Sequence, residues 1–267
     1  TKKILNLISI IASERRIKLE FMTKTIILIP SRLAATRLPN KPLLKINGLS
    51  IINHVYQKAK SAEIGNVYVA TGDEEIFKEV NKNGGVSILT NKEHETGTDR
   101  IFEAYEKLDS NKIEYIINLQ GDEPMIDIDD IKILNNKAIN KNSEIATLAC
   151  KIKEEKMLKK NNVVKVTTEE KLLKNNTSKA KYFSREAKFD NFNNVYHHIG
   201  IYIYKVSTLR KFVNLKQTKN EISQKLEQLR ALDNNIPIDV VLANICPIGV
   251  DTNEDYMEIK KIMEYKN

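Results

Sequence analysis

The chain has 267 residues, of which 41% are hydrophobic and 29% charged, and its formal net charge at pH 7 is +8. This length and apolar content predict one globular α/β domain with an ample core. No apolar run approaches the length of a membrane-spanning helix, so we expect no membrane insertion. The lysines are scattered among asparagines and glutamates rather than gathered in a stripe. The charge therefore favours a polyanionic small substrate at least as much as a nucleic acid.

The N-terminal segment imitates a signal peptide only in part. Lys2-Lys3 and the apolar run that follows imitate a short signal peptide, but Glu14-Arg15-Arg16 comes at once after that run. We therefore predict that residues 1–22 are an accessory extension, with Met22 a candidate for the true start. Residues 23–267 are predicted to form a single domain.

Strand-like and helix-like segments alternate along this domain. Short β-branched or aromatic runs predict strands at 25–30, 67–71, 86–90, 115–121, 145–151, 163–168 and 198–204. Helical spacing of apolar residues predicts helices at 50–62, 74–83, 99–108, 221–232 and 253–265. The alternation indicates an α/β fold with a mostly parallel, doubly wound sheet. The stretch 170–194, rich in lysine, asparagine and serine, is predicted to be loop-like and mobile.

A basic loop follows the first predicted strand. It contains no Gly-rich phosphate fingerprint, but Arg32, Arg37 and Lys41 place three cations close together. Arginine binds phosphate oxygens bidentately, and lysine acts as a point charge. Pro39 and Pro42 stiffen the loop and lower the entropy of ordering it around a ligand. A solvated basic turn is the alternative, but the position directly after a buried strand favours an anion-binding role.

The segment 117–124, Ile-Asn-Leu-Gln-Gly-Asp-Glu-Pro, ends a run of buried-type residues with polar and acidic groups. In open α/β sheets, ligands bind beyond the carboxyl ends of the strands. Asp122 at such an end can hold Mg²⁺ against phosphate oxygens, because hard cations take oxygen ligands. The alternative is a plain Asp-Glu-Pro turn. The basic loop after the first strand favours the metal-binding interpretation.

Further polar groups follow strand-like or helical segments in the second half. Arg185 comes after two aromatic residues, Glu227 and Gln228 lie on a predicted helix, and Asp251 precedes another helix. A surface arginine, a solvated helix face and a helix N-cap are the respective alternatives. Asp122 and Asp251 would form a metal pair if the fold brings them close.

Histidine and cysteine provide no recognisable metal motif. His197 and His198 begin a predicted strand, but a metal site would need further ligands, and no spacing supplies them. Cys150 and Cys246 are too few for a disulfide framework and lack the spacing of a zinc site. We therefore expect the protein to reside in a reducing cytoplasm.

In this order, the motifs of the chain resemble those of the 3-deoxy-manno-octulosonate cytidylyltransferase family, also called CMP-Kdo synthetases. The resemblance runs from Lys24 to Met263. It rests on the Ile-Pro-Ser-Arg loop and on these further segments: Arg37-Leu38-Pro39-Asn40-Lys41-Pro42-Leu43, Val69-Ala70-Thr71-Gly72-Asp73, Thr96-Gly97-Thr98-Asp99-Arg100, Gln120-Gly121-Asp122-Glu123-Pro124, Tyr182-Phe183-Ser184-Arg185, His198-Ile199-Gly200-Ile201-Tyr202, Leu226-Glu227-Gln228-Leu229-Arg230-Ala231-Leu232 and Pro247-Ile248-Gly249-Val250-Asp251-Thr252.

The resemblance implies a Rossmann-like fold of the nucleotidyltransferase type with a small sugar-binding and dimerisation lobe. It implies transfer of CMP from CTP to the anomeric hydroxyl of 3-deoxy-D-manno-octulosonate (Kdo), with release of diphosphate, for lipopolysaccharide synthesis. The implied cofactor is Mg²⁺, in a two-metal in-line transfer, and the implied partners are CTP and Kdo. The family further implies a cytoplasmic homodimer without nucleic acid and without membrane insertion.

The resemblance also assigns roles to residues of this chain. The implied catalytic residues are Lys41, Asp122 and Asp251, and the two carboxylates are the implied metal ligands. The implied nucleotide-binding residues are Arg32, Arg37, Lys41, Thr98, Asp99 and Gln120. The implied sugar-binding residues are Arg185, His198, Tyr202, Glu227 and Gln228.

Four positions depart from the usual family pattern. Ala35 and Thr96 each stand where serine is usual, Asn40 where glycine is usual, and Gly72 where aspartate is usual. Ala35 puts one hydrogen bond to the base or ribose in doubt. No departure removes a cation or a metal carboxylate, so we expect an active enzyme.

Two other functions were weighed against this one. A cytidylyltransferase for another acidic sugar, such as a sialic acid, is the nearest alternative, and the segments 120–124 and 226–230 favour Kdo over it. A basic RNA-binding protein on an α/β scaffold would need a coherent cationic face with stacking aromatics. The charges are scattered and the chain has no tryptophan, which disfavours that class.

Overall fold

The structure is a computed structural model. It describes residues 24–34, 37–108, 112–152, 155–158, 160–186 and 193–265. The expected extension at residues 1–22 and the departure at Ala35 lie outside the described residues, so the expectations about them stay predictions.

Eleven strands occur in the described part of the chain. They are β1 Thr25–Ser31, β2 Lys45–Ile46, β3 Leu49–Ser50, β4 Val67–Thr71, β5 Ser87–Leu89, β6 Tyr115–Asn118, β7 Ile145–Lys151, β8 Lys165–Thr168, β9 Thr177–Ser184, β10 Val195–Lys205 and β11 Ile238–Leu242. Nine of them form one sheet in the order β5-β4-β1-β6-β10-β7-β11-β9-β8, and β2 pairs with β3 in a separate ribbon.

Helices connect these strands. They are α1 Ile51–Ser61, α2 Glu74–Lys82, α3 Gly97–Glu106, α4 Ile128–Lys141, α5 Glu155–Leu158, α6 Val206–Val213, α7 Lys219–Gln224, α8 Leu229–Asp233 and α9 Asn253–Glu264, with a short 3₁₀ helix at Lys41–Leu43. In the part of the chain that the structure describes, none of them has both the length and the apolar character needed to cross a membrane.

The central strand β1 explains why helices cover both faces of the sheet. All seven of its residues are buried, and successive side chains of a strand point to opposite faces. Ile27 and Ile29 belong to the core formed with α1, α2 and α4. Ile26 and Leu28 belong to the core formed with α3, α6 and α8. A strand that must be apolar on both faces is typical of a sheet sandwiched between helical layers.

The sheet is parallel only in its first half. Strands β5, β4, β1 and β6 run parallel to their neighbours, as the βαβ alternation predicted. The long strand β10 then pairs antiparallel with β6 and β7, and β9 pairs antiparallel with β11 and β8. The expectation of a mostly parallel sheet is therefore corrected: the second half is mixed. A separate sugar-binding and dimerisation lobe stays a prediction.

The second half also departs from the predicted elements. The helix predicted at 221–232 is two short helices, α7 and α8, because Lys225 adopts a left-handed conformation with φ of 53° that ends the first of them. The stretch 170–194, predicted to be a loop, contains the eight-residue strand β9. Lysine and asparagine content misled the prediction there, although Ser178, Ala180, Phe183 and Ser184 of β9 are buried and Lys181 and Tyr182 alone within this strand are exposed.

A disulfide joins Cys150 and Cys246, whose Cα atoms are 5.6 Å apart. This corrects the expectation that the two cysteines stay unpaired. Cys150 lies near the end of β7, and Cys246 follows β11. Because these two strands are parallel, with Leu242 opposite Ala149, the chain leaves both of them at the same edge of the sheet. The pairing removes the cysteine argument for a reducing compartment.

The departure at Gly72 has a steric reason. The guanidinium of the buried Arg100 donates hydrogen bonds to the carbonyl oxygens of Asn91 (2.9 Å) and Lys92 (3.2 Å), which holds this segment against β4. A Cβ atom at Gly72 would lie 2.7 Å from Cα of Lys92 and 3.0 Å from the Arg100 guanidinium. The usual aspartate has no room beside this backbone.

We predict that Gly72→Ala lowers the free energy of unfolding by about 1–3 kcal/mol, the usual range for overpacking a closed site. Urea unfolding followed by circular dichroism measures the change. Gly249→Ala is the matched control, because its Cβ would meet no atom closer than 3.8 Å. Equal stabilities of the two variants would contradict the steric explanation.

Candidate active site

A cleft of about 380 Å³ opens beside the carboxyl ends of β1 and β6. This is the edge of a parallel sheet at which α/β proteins bind ligands. Its lining is dominated by cations, carboxylates and backbone of the segments 30–42, 94–100 and 120–122. The charged and amide side chains that line it are Arg32, Arg37, Lys41, His94, Arg100, Gln120, Asp122 and Asp251.

Lys41 is the centre of the charged cluster. Its ammonium donates to the Asp122 carboxylate at 2.6 Å and to the carbonyl oxygen of Val250 at 2.8 Å, and it lies 3.5 Å from the Asp251 carboxylate. The Lys41 side chain is only 14% exposed, so these contacts are shielded from water. One cation thus holds together two acids that are far apart in sequence.

The backbone before Lys41 explains the departure at Asn40. Asn40 has φ of 55° and ψ of 22°, a left-handed conformation. Glycine, usual in the family, adopts this region freely, and asparagine is among the few other residues that do so routinely. Pro42 is the second residue of the 3₁₀ helix, in the first turn, where its missing N–H costs nothing. The substitution therefore keeps the turn that presents Lys41.

The predicted pair of carboxylates is brought together. The N–H of Val250 donates to the backbone oxygen of Asp122 at 2.9 Å, which fixes the following residue, Asp251, beside the end of β6. Arg37 contacts the other oxygen of Asp251 at 3.3 Å. The carboxylates of Asp122 and Asp251 and the carbonyl oxygen of Val250 form an oxygen-donor set of the kind that Mg²⁺ prefers.

Glu123 is a site residue that sequence reasoning missed. Its side chain is buried and, among the described residues, its Oε2 has no hydrogen-bond partner. Burial, followed by the charges of Asp122 and Asp251, raises the pKa of Glu123 to about 8. Burial therefore favours the protonated form of this carboxyl near neutral pH. The sequence feature that could have identified Glu123 was its place in the Asp-Glu-Pro segment, but that segment also fits a plain turn.

His94 and Arg100 were also missed as cleft residues. His94 contacts the Glu103 carboxylate, and Arg100 is held by the 90–92 segment. Arg100 ends the Thr-Gly-Thr-Asp-Arg segment, so its motif was visible, but nothing local in the sequence shows that α3 points its first turn at the cleft.

A chain of hydrogen bonds connects the nucleotide and sugar residues implied by the resemblance. Gln120 donates to Asn118 at 3.2 Å, Asn118 donates to Thr98 at 3.4 Å, and Thr98 donates to Glu227 at 2.8 Å. Thr98 thus contacts a predicted sugar residue. Thr96 caps α3, because its hydroxyl accepts from the Asp99 N–H and donates to the Asp99 carboxylate, and neither Asp99 nor Thr98 lines the cleft. Threonine at position 96 therefore serves the cap as serine would.

The remaining predicted sugar residues surround a neighbouring, more apolar region. His198 is 8% exposed, contacts the Thr147 hydroxyl at 3.0 Å and packs edge-on against Phe183. Tyr202 lies 5.3 Å from the His198 ring, and its hydroxyl has no partner among the described residues. A buried hydroxyl without a partner is a group that a polar ligand satisfies.

Glu227 and Arg185 flank this region. Burial raises the pKa of Glu227, although the Thr98 hydrogen bond and Arg230 oppose the shift. Arg185 is partly exposed, and the contacts of its guanidinium with the described residues are long, 3.3–3.5 Å, to carbonyl oxygens that include those of Gln224 and Lys225. Gln228 is buried at the start of α8. The structure therefore gathers the predicted residues into two adjoining groups, one around Lys41 and one around Glu227.

A mixed α/β sheet with a cationic cleft in which Asp122, after β6, meets Asp251, before α9, is typical of a nucleotidyltransferase. The family model described as "Cytidylyltransferase" matches residues 26–240. The chain belongs to this family, in the group of 3-deoxy-manno-octulosonate cytidylyltransferases. The relative from Rhodopseudomonas palustris (strain BisB18) that bears this name is 42% identical over 91% of this chain and 99% of its own. The one from Brucella canis is 44% identical over 87% of this chain and 92% of its own.

Solved structures agree with this membership. A CMP:2-keto-3-deoxy-manno-octonic acid synthetase complexed with CTP superposes with a TM-score of 0.83 at 33% identity, covering 91% of this chain and 100% of that one. A UDP-glucose pyrophosphorylase complexed with UDP-glucose has a TM-score of 0.66 at 14% identity, over 91% of this chain and 100% of its own. The latter likeness concerns the fold alone.

The buried His198 should make the free energy of unfolding depend on pH. Burial, and then the neighbouring His197, lower the pKa of His198 to about 3. An unfolded histidine titrates near pH 6.5, so between about pH 6.5 and 3 the unfolded chain binds a proton that the folded chain does not. Stability should fall as the pH is lowered through this window, by up to about 1.4 kcal/mol per pH unit from this residue.

His198→Gln should remove that contribution and flatten the pH dependence of the free energy of unfolding, measured by urea unfolding at several pH values. His54→Gln is the control, because its imidazole contacts the carbonyl oxygen of Ile46 instead. Parallel pH dependences for the wild-type protein and His198→Gln would show that His198 is protonated in the folded state.

Proposed function

We propose that this chain transfers CMP from CTP to the anomeric hydroxyl of Kdo, with release of diphosphate. Family membership supports this reaction, since relatives at 42–44% identity bear its name. The observation that carries the proposal is the position of Lys41 between Asp122 and Asp251 in the cleft. Attack at the α-phosphorus of a triphosphate depends on neutralising charge and holding the reacting groups in line. A cluster of cations and paired acids is suited to both tasks.

In this proposal, the basic loop binds the triphosphate. Arg32 and Arg37 offer planar guanidinium forks to phosphate oxygens, and Lys41 offers a compact charge. Gln120 contacts the nucleotide, and Thr98 and Asp99 support the wall of the nucleotide site. Lys41 now shares its charge with Asp122 and Asp251, so a bound phosphate would draw the ammonium away from these carboxylates.

We further propose that Asp122 and Asp251 hold Mg²⁺. Their carboxylates, with the Val250 carbonyl, form a hard oxygen set, and the cationic Lys41 ammonium, which contacts all three groups, supports an affinity of this set for positive charge. Magnesium, when bound, neutralises the triphosphate and makes the attacking hydroxyl more acidic.

The acidic sugar is assigned to the second group of residues. Arg185 is proposed to bind the Kdo carboxylate, because its guanidinium has only long, weak contacts to lose. His198, Tyr202, Glu227 and Gln228 are proposed to bind the hydroxyls. Among the described residues, neither the Tyr202 hydroxyl nor Oε1 of Glu227 has a hydrogen-bond partner, although the Arg230 guanidinium lies 3.8 Å from that oxygen, and both groups support this role.

Assembly, domain organisation and location are also proposals. We propose that residues 23–267 act as a single domain in a cytoplasmic homodimer, with residues 1–22 accessory. The location follows from the substrate, since CTP is made in the cytoplasm. Gel filtration with light scattering measures the assembly.

Asp122→Asn and Asp251→Asn should each abolish turnover while the fold survives. Losing one preorganised charge at the reacting phosphate costs on the order of 3 kcal/mol or more in the barrier. Diphosphate release from CTP, measured with Kdo and with a sialic acid at varied Mg²⁺, tests both the residues and the substrate. Asp129→Asn, at an exposed position on α4, is the matched control. Near-normal rates in both variants would refute the metal assignment, and faster reaction with the sialic acid would refute Kdo.

Arg185→Ala should raise the KM for Kdo about ten- to a hundredfold and leave CTP binding almost unchanged, because a charge-assisted contact is worth about 1.5–3 kcal/mol. Lys41→Ala should instead weaken CTP binding. Calorimetric titration with CTP and steady-state kinetics in Kdo separate the two effects. Arg210→Ala, which removes a surface pair with Glu106, is the control. If Arg185→Ala lost CTP affinity and kept its Kdo KM, Arg185 would belong to the phosphate site.

A further inference from the structure

Cys150, His197 and Cys246 form a cluster that does not line the cleft. Each offers one ligand atom, a sulfur or an imidazole nitrogen, and these atoms all lie within 4.8 Å of one another. Ligands of a tetrahedral zinc ion, bound at about 2.0–2.3 Å, are about 3.3–3.8 Å apart. Reduction of the disulfide must therefore let the two bonded sulfurs separate, while the imidazole nitrogen already lies within reach of both. Among the residues that the structure describes, these three form the group of histidine, cysteine and acidic side chains whose ligand atoms lie this close together.

The sheet itself builds the cluster. His197 of β10 lies directly opposite Cys150 of β7 in the antiparallel ladder. Cys246 approaches from the other side, because it follows β11, the parallel neighbour of β7. Two ligands therefore come from rigid strands and one from the segment after a strand. This origin explains why no local spacing in the sequence revealed the cluster.

His197 carries a second, independent observation. Its Nδ1 atom is buried and has no hydrogen-bond partner among the described residues. A buried polar atom without a partner costs about 1–3 kcal/mol, so most such atoms in folded proteins are satisfied by a ligand, water or ion. Cys150 is 3% exposed, whereas His197 and Cys246 are partly exposed, so an ion can reach the cluster from solvent.

We propose that Cys150, His197 and Cys246 form a binding site for a thiophilic divalent cation of the Zn²⁺ class when the disulfide is reduced. Two thiolates and one imidazole are ligands that select such ions over Mg²⁺. Three protein ligands leave the fourth position to water. The disulfide is the metal-free, oxidised state of the same site.

The two states interconvert by a balanced reaction. A dithiol reductant delivers two electrons and two protons to the Cys150–Cys246 bond, which gives two thiols and the cyclic disulfide of the reductant. Binding of the cation then releases the two thiol protons to solvent, because the thiolate is the ligand form. Either state fixes Cys246, which lies five residues before Asp251.

The full chain, reduced with a phosphine and freed of metal, is titrated with Co²⁺ under anaerobic conditions. We expect one Co²⁺ per chain with a sulfur-to-cobalt charge-transfer band and the visible bands of a tetrahedral ion, and we expect Zn²⁺ to displace it. Carboxylate sites such as that of Asp122 and Asp251 give no charge-transfer band from sulfur. The band therefore reports the proposed site alone.

Cys246→Ser and His197→Gln test the ligands. Cys246→Ser should abolish the two-thiolate spectrum, and His197→Gln should weaken Co²⁺ binding at least about tenfold, the order of loss seen when a metal site loses support. His54→Gln should bind as the wild-type chain does. Circular dichroism verifies that each variant folds, and Cys246, being partly exposed, tolerates serine without a core defect.

Three results would overturn the proposal. They are a reduced chain that shows no charge-transfer band, a band that survives in His197→Gln with unchanged affinity, and a disulfide that excess phosphine does not open in the folded protein.

Discussion

The contact on which the site depends is the ammonium of Lys41 lodged between Asp122 and Asp251. These three residues come from the first loop, the end of β6 and the segment before α9, up to 210 positions apart in sequence. Two carboxylates this close repel each other unless a cation lies between them. Lys41 supplies that charge in the free protein. A nucleotide and a metal ion would therefore enter a site whose electrostatic pattern already exists, with the lysine moving from carboxylate to phosphate.

The segment that carries Asp251 is fixed at several points, which explains how a loop residue holds its position. The disulfide at Cys246 fixes its beginning, and the Val250 N–H bonds to the backbone of Asp122. Thr252 and Asp255 form a capping box that begins α9. Val250 and Ile259 are fully buried in a third apolar cluster beside the first loop. The position of the carboxylate therefore depends on covalent, polar and apolar contacts together.

The sequence predicted local features well and long-range pairing poorly. The first four parallel strands and the polar segment that ends in Asp122 have signatures within a few residues. The sequence could predict that Asp122 and Asp251 act together only on the condition that the fold brings them close. The structure meets that condition, since both carboxylates contact Lys41. The antiparallel course of β10 and the Cys150–Cys246 bond have no local signature, because register between distant strands is set by packing in three dimensions. Glu123 was missed for a related reason: its side chain lies beside Gly200 and Gly249, which are distant in sequence.

The hydrogen-bond chain from Gln120 to Glu227 explains how the two groups of site residues keep a fixed relation. Gln120 and Asn118 are at the end of β6, two and four residues before Asp122, and Thr98 is in the first turn of α3. The Thr98 hydroxyl accepts a hydrogen bond from Asn118 and donates one to Glu227, so it acts as acceptor and donor at once. A displacement of Glu227 therefore breaks its hydrogen bond with Thr98, which is itself bonded to Asn118 on β6, the strand that precedes Asp122. Reacting groups must be held to within a few tenths of an ångström for an in-line transfer, and one strand that positions both groups provides this precision.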